Sequence, residues 1–234
     1  KHGNRSVSSK SGSADVLEAL NIPLDLDAAR AVRQFKASNF TFLFAPAYNP
    51  AVAHVQPVRK ALGIPTIFNT LGPLLSPGRP SLQIMGIAHP AQGQLIAEVF
   101  RELGRERALV VHGAGTDEIA THGTTQVWEL NDGEIVSYEL TPEDLGIKRH
   151  ELADLAGGDG AANAQALRAV FAGRGEPAHC DAIAAGAGAM FYLNGTTETI
   201  AAGVTHAKEL IGSGTVEEWL SLHESTNYAV GEEN

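Results

Sequence analysis

The sequence predicts an α/β fold in which helices flank a mostly parallel central sheet, and two patterns support this fold class. A predicted strand from Leu82 to Ile87 is followed by an amphipathic helical pattern from Ala91 to Leu103 and a second, buried strand from Ala108 to Val111. This β-α-β order favours a parallel pair of strands joined by a right-handed crossover. The pair Asp132-Gly133 then separates two further strand patterns, which indicates an antiparallel hairpin.

Short helices and one strand are predicted before this unit. Asp25 or Asp27 can cap the second helix, because a carboxylate accepts hydrogen bonds from the free N–H groups of a first helical turn. Residues 40–44 are dense in aromatic and β-branched side chains, which is typical of a buried strand. Residues 47–80 are predicted to be a helical excursion, or hinge, away from the main sheet. In chain order, the predicted elements are the helices Ala14–Leu20 and Ala28–Ala37, the strand Phe40–Phe44 and the helix Ala51–Leu62.

The hairpin and four helices are predicted to complete the chain. Thr141 begins a short turn ahead of Pro142, and Asp159 precedes a helix as a capping residue would. Small residues from Gly186 to Ala189 indicate close packing of one helix against a neighbour. The predicted elements are the strands Gln126–Leu130 and Glu134–Leu140 and the helices Ala161–Phe171, Ala182–Leu193, Ile200–Ile211 and Val216–Leu222.

Composition indicates one globular domain over residues 1–234, with 44% hydrophobic and 19% charged residues. The formal net charge of -10 disfavours a broad surface for nucleic acid or anionic lipid. The single cysteine, Cys180, and the lack of an apolar run of roughly 20 residues favour a cytoplasmic protein. Because the chain does not begin with methionine, we expect further residues upstream of Lys1.

The first fifteen residues have the composition of an anion-binding loop. Three cationic side chains, five serines and two glycines precede the first predicted helix. Glycines let the backbone approach a phosphate closely, and hydroxyl and N–H groups at a helix N-terminus donate hydrogen bonds to it. By composition alone, a flexible, solvated segment followed by a serine cap is the favoured interpretation.

The order of these residues, K-H-G-N-R-S-V-S-S-K-S-G-S-A-D, resembles the signature loop of anthranilate phosphoribosyltransferases. The resemblance covers essentially the whole chain. It continues through F-L-F-A-P, P-V-R-K-A-L-G, F-N-T-L-G-P-L-L, V-V-H-G, D-E-I, T-P-E-D-L-G and L-A-G-G-D.

The resemblance implies binding roles for two sets of residues. Arg59 would pair with the anthranilate carboxylate, a planar fork-to-fork match, although without the resemblance it would be taken for a solvated helix charge. The residues implied to bind phosphoribosyl pyrophosphate are Lys1, His2, Gly3, Asn4, Arg5, Ser6, Val7, Ser8, Ser9 and Ser13. Those implied to bind anthranilate are His2, Asn4, Pro46, Arg59 and Gly72.

Asp117 and Glu118 form an acidic pair just after the predicted strand Ala108–Val111, at the carboxyl end where open α/β sheets place ligands. Mg²⁺ prefers a few carboxylate oxygens together with water and phosphate. An exposed acidic turn or helix cap is the alternative for the dipeptide alone, whereas the resemblance implies a magnesium site. The turn H-G-A-G-T-D-E is one residue shorter than in many family members, so the alignment of the pair stays open.

Other motifs have structural explanations. Gly113-Ala114-Gly115 does not continue as a dinucleotide fingerprint, because Glu118 occupies the third glycine position. Gly186 stands where the family commonly has asparagine, which affects packing. The histidines assigned structural roles are His54, His89, His112, His122 and His179.

The resemblance implies a magnesium-dependent transfer of phosphoribose to the amine of anthranilate, in tryptophan biosynthesis, with no covalent nucleophile. It also implies a homodimer and a possible glutamine amidotransferase domain or anthranilate synthase partner. The family's N-terminal helices and glycine-rich pyrophosphate turn would lie upstream of Lys1, so negligible turnover is expected from these 234 residues alone. The alternatives are a pyrimidine-nucleoside phosphorylase and a non-catalytic nucleic-acid-binding relative.

Overall fold

The computed structural model describes residues 1–5, 10–24, 26–50, 58, 61–62 and 68–224. The chain forms two compact units. The first comprises Lys1–Arg79, Gly157–Gln165 and Glu218–Asn234, and the second comprises Pro80–Ala156 and Ala166–Glu217. Among the described residues, every helix falls short of the length and apolar character needed to cross a membrane.

In the first unit, the second helix begins where its capping residue predicts. Asp27 caps the second helix: its carboxylate accepts a hydrogen bond from the Arg30 N–H at 2.8 Å. Asp25, the other predicted cap, lies outside the described residues. The second helix ends at Asn39, whose φ of 56° is left-handed. The helices are α1 (Ser13–Ala19), α2 (Ala28–Ser38), α3 (Ala45–Tyr48) and α4 (Phe68–Leu74). The predicted helix Ala51–Leu62 lies largely outside the described residues.

Two very short strands, β1 (His2–Gly3) and β2 (Leu43–Phe44), pair in parallel in this unit. The predicted strand Phe40–Phe44 is therefore too long. Its first residue is held at the end of α2, where the Phe40 N–H donates to the Ser38 hydroxyl at 3.2 Å and that hydroxyl donates to the Phe40 carbonyl at 2.8 Å. Its predicted burial is confirmed at Phe42 and Phe44, which pack with Ala14 and other apolar residues.

The second unit contains a four-stranded sheet of order β3-β4-β5-β6. The α/β class, the parallel pair β3–β4 and the antiparallel hairpin β5–β6 are confirmed. Strand β4 pairs with β5 in antiparallel fashion, so the described part of this sheet is mixed. The elements are β3 (Leu82–Gly86), α5 (Gly93–Glu102), β4 (Arg107–Gly113), β5 (Thr125–Asn131) and β6 (Glu134–Leu140).

The turns around the hairpin follow the predicted chemistry. Asp132 and Gly133 have φ values of 49° and 82°, the left-handed pair that a two-residue hairpin turn requires. After the hairpin, the Thr141 hydroxyl accepts a hydrogen bond from the Asp144 N–H at 3.3 Å and starts a short 3₁₀ turn. Local sequence therefore determines the geometry at both ends of β6.

Four helices follow, and two of them pack closely. An added Cβ on Gly203 would lie 2.2 Å from the carbonyl oxygen of Gly188, so the two backbones approach as closely as glycines allow. The predicted packing role of the small-residue segment is confirmed at Gly188. The helices are α6 (Gly160–Phe171), α7 (Pro177–Leu193), α8 (Ile200–Gly212) and α9 (Thr215–His223).

Candidate functional site

The first unit builds its part of the predicted site on the β1–β2 pair. The Leu43 N–H donates to the Lys1 carbonyl at 2.7 Å, and the register sets His2 opposite Leu43 and Gly3 opposite Phe44. An added Cβ on Gly3 would lie 3.2 Å from the Phe42 ring. The start of the predicted substrate loop is therefore attached to the strand that leads into α3.

The His2 imidazole lies in a partly buried setting beside α3 and α4. Its Nε2 is 3.1 Å from the side-chain amide nitrogen of Asn49, which follows the last residue of α3. Its Nδ1 is buried and makes no hydrogen bond of good geometry within the described residues. Burial lowers the pKa of His2, and the backbone of Gly72 opposes this only in part. The ring is therefore neutral at pH 7.

Two further residues of the predicted anthranilate set lie on elements next to β1. Pro46 is in the first turn of α3, which begins directly after β2. Gly72 lies in α4, and no described atom is within 4 Å of the position that a Cβ there would occupy. The structure thus brings His2, Pro46 and Gly72 to neighbouring elements of one unit.

Arg5, one of the cations of the predicted loop, is held beside α1. The Arg5 Nε donates to the Glu18 carboxylate at 3.1 Å, and the guanidinium carbon lies 4.7 Å from the centroid of the Phe44 ring. The Arg5 N–H donates to the Asn4 side chain at 2.8 Å. Arg5 and Asn4 are exposed, so both are accessible to a ligand.

Several predicted residues lie elsewhere in the chain or outside the described part. Ser13 is the first residue of α1 and follows Gly12, whose N–H donates to the Asp15 carboxylate at 2.6 Å. The structure thus places Ser13 at a helix N-terminus, as the anion-loop pattern indicates. The predicted residues outside the described part are Ser6, Val7, Ser8, Ser9 and Arg59.

The acidic pair of the second unit lies at the carboxyl end of the parallel strands. Asp117 and Glu118 are exposed, whereas the next residues, Ile119 and Ala120, are buried and anchor the segment. An added Cβ on Gly86, the last residue of β3, would lie only 1.6 Å from the Asp117 carbonyl oxygen. The backbone that carries the two carboxylates is thus packed directly on the end of β3.

This arrangement fits a Mg²⁺ ion that takes some ligands from the protein and the others from a substrate and water. In the described residues, no three or more histidine, cysteine, aspartate or glutamate side chains are grouped for a metal. Mg²⁺ is commonly held by one or two carboxylates, with water and substrate phosphate completing an octahedron. Asp117 and Glu118 supply that number of carboxylates on an exposed surface.

The nearby histidines hydrogen-bond to the main chain, in keeping with the structural roles predicted for them. The His112 Nδ1 lies 2.9 Å from the Ile87 carbonyl, and the His122 Nε2 lies 3.2 Å from the Ala114 carbonyl. His54 is outside the described residues. Neither His112 nor His122 supplements the acidic pair as part of a metal cluster within the described chain.

Asn49 is the residue near the site that sequence reasoning missed. It contacts His2 although the two are 47 positions apart. Neither composition nor periodicity marks such a contact, because it depends on β1 pairing with β2. The local signal is weak: Asn49 lies in the segment A-P-A-Y-N-P, which follows strand β2, and it directly precedes Pro50.

Comparisons with known proteins show which proteins this chain resembles. Residues 1–217 match the family model described as glycosyl transferase family, a/b domain. The chain is 80% identical to the anthranilate phosphoribosyltransferase of Corynebacterium aurimucosum, over 97% of this chain and 66% of that protein. It is 70% identical to that of Corynebacterium efficiens, over 97% of this chain and 67% of that protein. The chain thus spans about two thirds of the length of these relatives.

Solved structures show the same similarity in three dimensions. Anthranilate phosphoribosyltransferase from Thermus thermophilus superposes with a TM-score of 0.89 at 40% identity, covering 96% of this chain and 67% of that one. The Saccharomyces cerevisiae enzyme, solved in complex with PRPP and Mg, gives a TM-score of 0.82 at 28% identity, covering 91% of this chain and 61% of that one. The described fold is therefore that of these proteins over nearly the whole chain.

Proposed function

Because the chain belongs to the anthranilate phosphoribosyltransferase family, we propose that the protein transfers phosphoribose from phosphoribosyl pyrophosphate to anthranilate. The products are N-(5-phosphoribosyl)anthranilate and pyrophosphate. The observation that carries this proposal is the position of His2, Pro46 and Gly72 on neighbouring elements. The names of the relatives favour this reaction over a pyrimidine-nucleoside phosphorylase.

The site for anthranilate is proposed to combine a hydrogen-bond donor, a flat apolar surface and a cation. His2, Pro46 and Gly72 contact the aromatic ring and its substituents, and Asn4 reaches both substrates. Arg59 pairs with the carboxylate through two parallel hydrogen bonds, which fix the plane of the ring. This orientation directs the amine toward the anomeric carbon, so positioning supplies much of the rate.

The donor site is proposed to act electrostatically. Lys1 to Ser9 and Ser13 hold the phosphate groups while positive charge develops at the anomeric carbon. Asp117 and Glu118 would hold Mg²⁺, which would supply positive charge to the pyrophosphate. The incoming amine is itself the nucleophile.

The remaining assignments are also proposals. Residues 1–234 form the large α/β domain, and residues 47–80 form its excursion toward a helical part. The protein acts in the cytoplasm as a homodimer in tryptophan biosynthesis. A glutamine amidotransferase domain or anthranilate synthase is its proposed protein partner.

The test follows the loss of anthranilate fluorescence in the presence of phosphoribosyl pyrophosphate and Mg²⁺. It uses the full-length protein of the source organism. Arg59→Ala should lower kcat/KM for anthranilate by about 10- to 100-fold, since a charge-assisted hydrogen bond contributes about 1.5–3 kcal/mol. Arg33→Ala is the matched control, because Arg33 is exposed on α2. An unmodified protein that shows no turnover with these substrates would refute the proposed reaction.

A further inference from the structure

The contact between His2 and Asn49 assigns a role to a residue outside the predicted site. We propose that Asn49 is a positioning residue: its amide N–H donates to the His2 Nε2 and fixes the imidazole as the neutral Nδ1–H tautomer. The two nitrogens lie 3.1 Å apart, which is a hydrogen-bond distance. This inference rests on the proposed function for its consequence in catalysis, whereas the tautomer itself is a property of the substrate-free protein.

The assignment of the donor follows from the groups around the ring. A neutral imidazole has one N–H and one acceptor nitrogen, and a hydrogen bond at one nitrogen determines the state of the other. If Asn49 donates to Nε2, the hydrogen must lie on Nδ1.

The buried Nδ1 then becomes a preorganised donor. It makes no hydrogen bond of good geometry within the described part of the chain, and a buried N–H in that state costs free energy until a ligand supplies an acceptor. An oxygen of the anthranilate carboxylate is such an acceptor.

The same hydrogen bond also limits the chemistry of His2. Its basic nitrogen, Nε2, is already occupied by Asn49, so it is not available to take the proton that the anthranilate amine loses. His2 therefore binds and orients the acceptor, and the reaction does not use it as a general base. Asn49 acts only through His2.

The tautomer can be measured directly by ¹⁵N NMR of histidine-labelled protein without substrates, with His2→Gln identifying the His2 signals. In the unmodified protein, Nδ1 should show the shift of a protonated nitrogen and Nε2 that of a bare one. In Asn49→Asp, Nε2 should instead show the shift of a protonated nitrogen, because a carboxylate only accepts hydrogen bonds. Asn49→Leu provides a second variant that removes the hydrogen bond without adding charge, and it should leave the two tautomers mixed.

Asn194→Asp is the matched control. Asn194 also follows the last residue of a helix, α7, and its side-chain oxygen accepts from the Thr196 N–H at 2.9 Å, a bond that aspartate retains. The His2 signals should be unchanged in this variant. A protonated Nε2 in the unmodified protein, or identical His2 shifts in the Asn49 variants, would overturn the proposal.

Kinetics then test the consequence for catalysis. Asn49→Asp and Asn49→Leu should each raise KM for anthranilate about tenfold, the equivalent of one hydrogen bond, while KM for phosphoribosyl pyrophosphate stays unchanged. An equal effect on both substrates would indicate a general structural role and contradict the positioning role. Absence of turnover in the unmodified protein, with the expected NMR result, would refute the proposed function and leave the tautomer assignment standing.

Discussion

At the scale of single residues, Glu129 shows how one buried carboxylate alters its neighbours. It is 5% exposed, accepts hydrogen bonds from the hydroxyls of Tyr192 at 2.7 Å and Tyr138 at 2.9 Å, and lies 3.5 Å from the Arg107 guanidinium. Burial raises the pKa of Tyr138, and the negative charge of Glu129 raises it further. The same two causes raise the pKa of Tyr192.

We predict that this network makes stability fall at alkaline pH. Above about pH 10, unfolded Tyr138 loses its proton while folded Tyr138 keeps it, so the free energy of unfolding decreases as pH rises. The slope per tyrosine is at most about 1.4 kcal/mol per pH unit, and solvent screening reduces it. Urea unfolding from pH 9 to 11 should therefore show a shallower decrease for Tyr138→Phe. Equal slopes for both proteins would contradict this.

Gly86→Ala is predicted to weaken metal binding. A Cβ there would overlap the Asp117 carbonyl, which is 1.6 Å away, so the segment carrying Asp117 and Glu118 must shift. We expect Mg²⁺ affinity, measured by calorimetry with phosphoribosyl pyrophosphate present, to fall by about 10- to 100-fold, as for other changes that displace metal ligands. Gly212→Ala is the control, because no described atom lies within 4 Å of a Cβ there. Unchanged affinity in the Gly86 variant would exclude the metal role.

Residues that act through local chemistry could be predicted from the sequence, and those that act through distant contacts could not. Asp27 and Thr141 satisfy N–H groups within three positions, so their capping roles were visible in the pattern. Asn49 meets His2 only after distant strands pair. The predicted metal and substrate roles of Asp117 and Arg59 came from family resemblance and stay predictions.

At the scale of elements, the agreement between predicted and observed boundaries depends on how close in sequence the stabilising interactions are. The β5–β6 hairpin was predicted because its turn residues and alternation lie within one short segment. The strand Phe40–Phe44 was predicted too long, because the Ser38 hydroxyl competes for the backbone of Phe40. Helix α7 begins at Pro177 and not at Ala182, since proline suits a first helical turn.

The packing of α7 against α8 gives a prediction at this scale. Gly203→Ala should destabilise the protein by about 1–3 kcal/mol despite alanine's higher helix propensity, because the methyl group would overlap the Gly188 carbonyl. Gly186→Ala, in the same helix pair, should instead stabilise it by about 0.5–1 kcal/mol, since no described atom lies within 4 Å of its Cβ position. Thermal and urea unfolding measure both changes, and effects of the same sign would contradict this packing.

At the scale of the whole molecule, charge and fold class were the properties most accessible from sequence. The net charge and the β-α-β order depend on composition and periodicity, which need no knowledge of contacts. The assignment of residues to two compact units was not predicted. The first unit combines segments from both ends of the sequence, as when the Trp219 indole donates to the Ser38 carbonyl at 3.1 Å.

The net charge of -10 predicts no affinity for nucleic acid. The protein should pass through a heparin column at low ionic strength and should leave the mobility of a short duplex DNA unchanged at micromolar protein concentration. A basic DNA-binding domain serves as the positive control. Retention on heparin that decreases steeply with added salt would show a basic surface that the total charge conceals.

The pairing of β1 with β2 makes the spacing of residues at the start of the predicted loop as important as their identity. Successive residues of a strand point to opposite sides. A one-residue insertion or deletion beside His2 would therefore exchange its place with that of Gly3. An imidazole would not fit the 3.2 Å left for a Cβ against Phe42, and the side near Asn49 would carry no ring. Such a one-residue change would thus remove the proposed His2 Nδ1–H donor from the site, even if His2 and Gly3 were both retained.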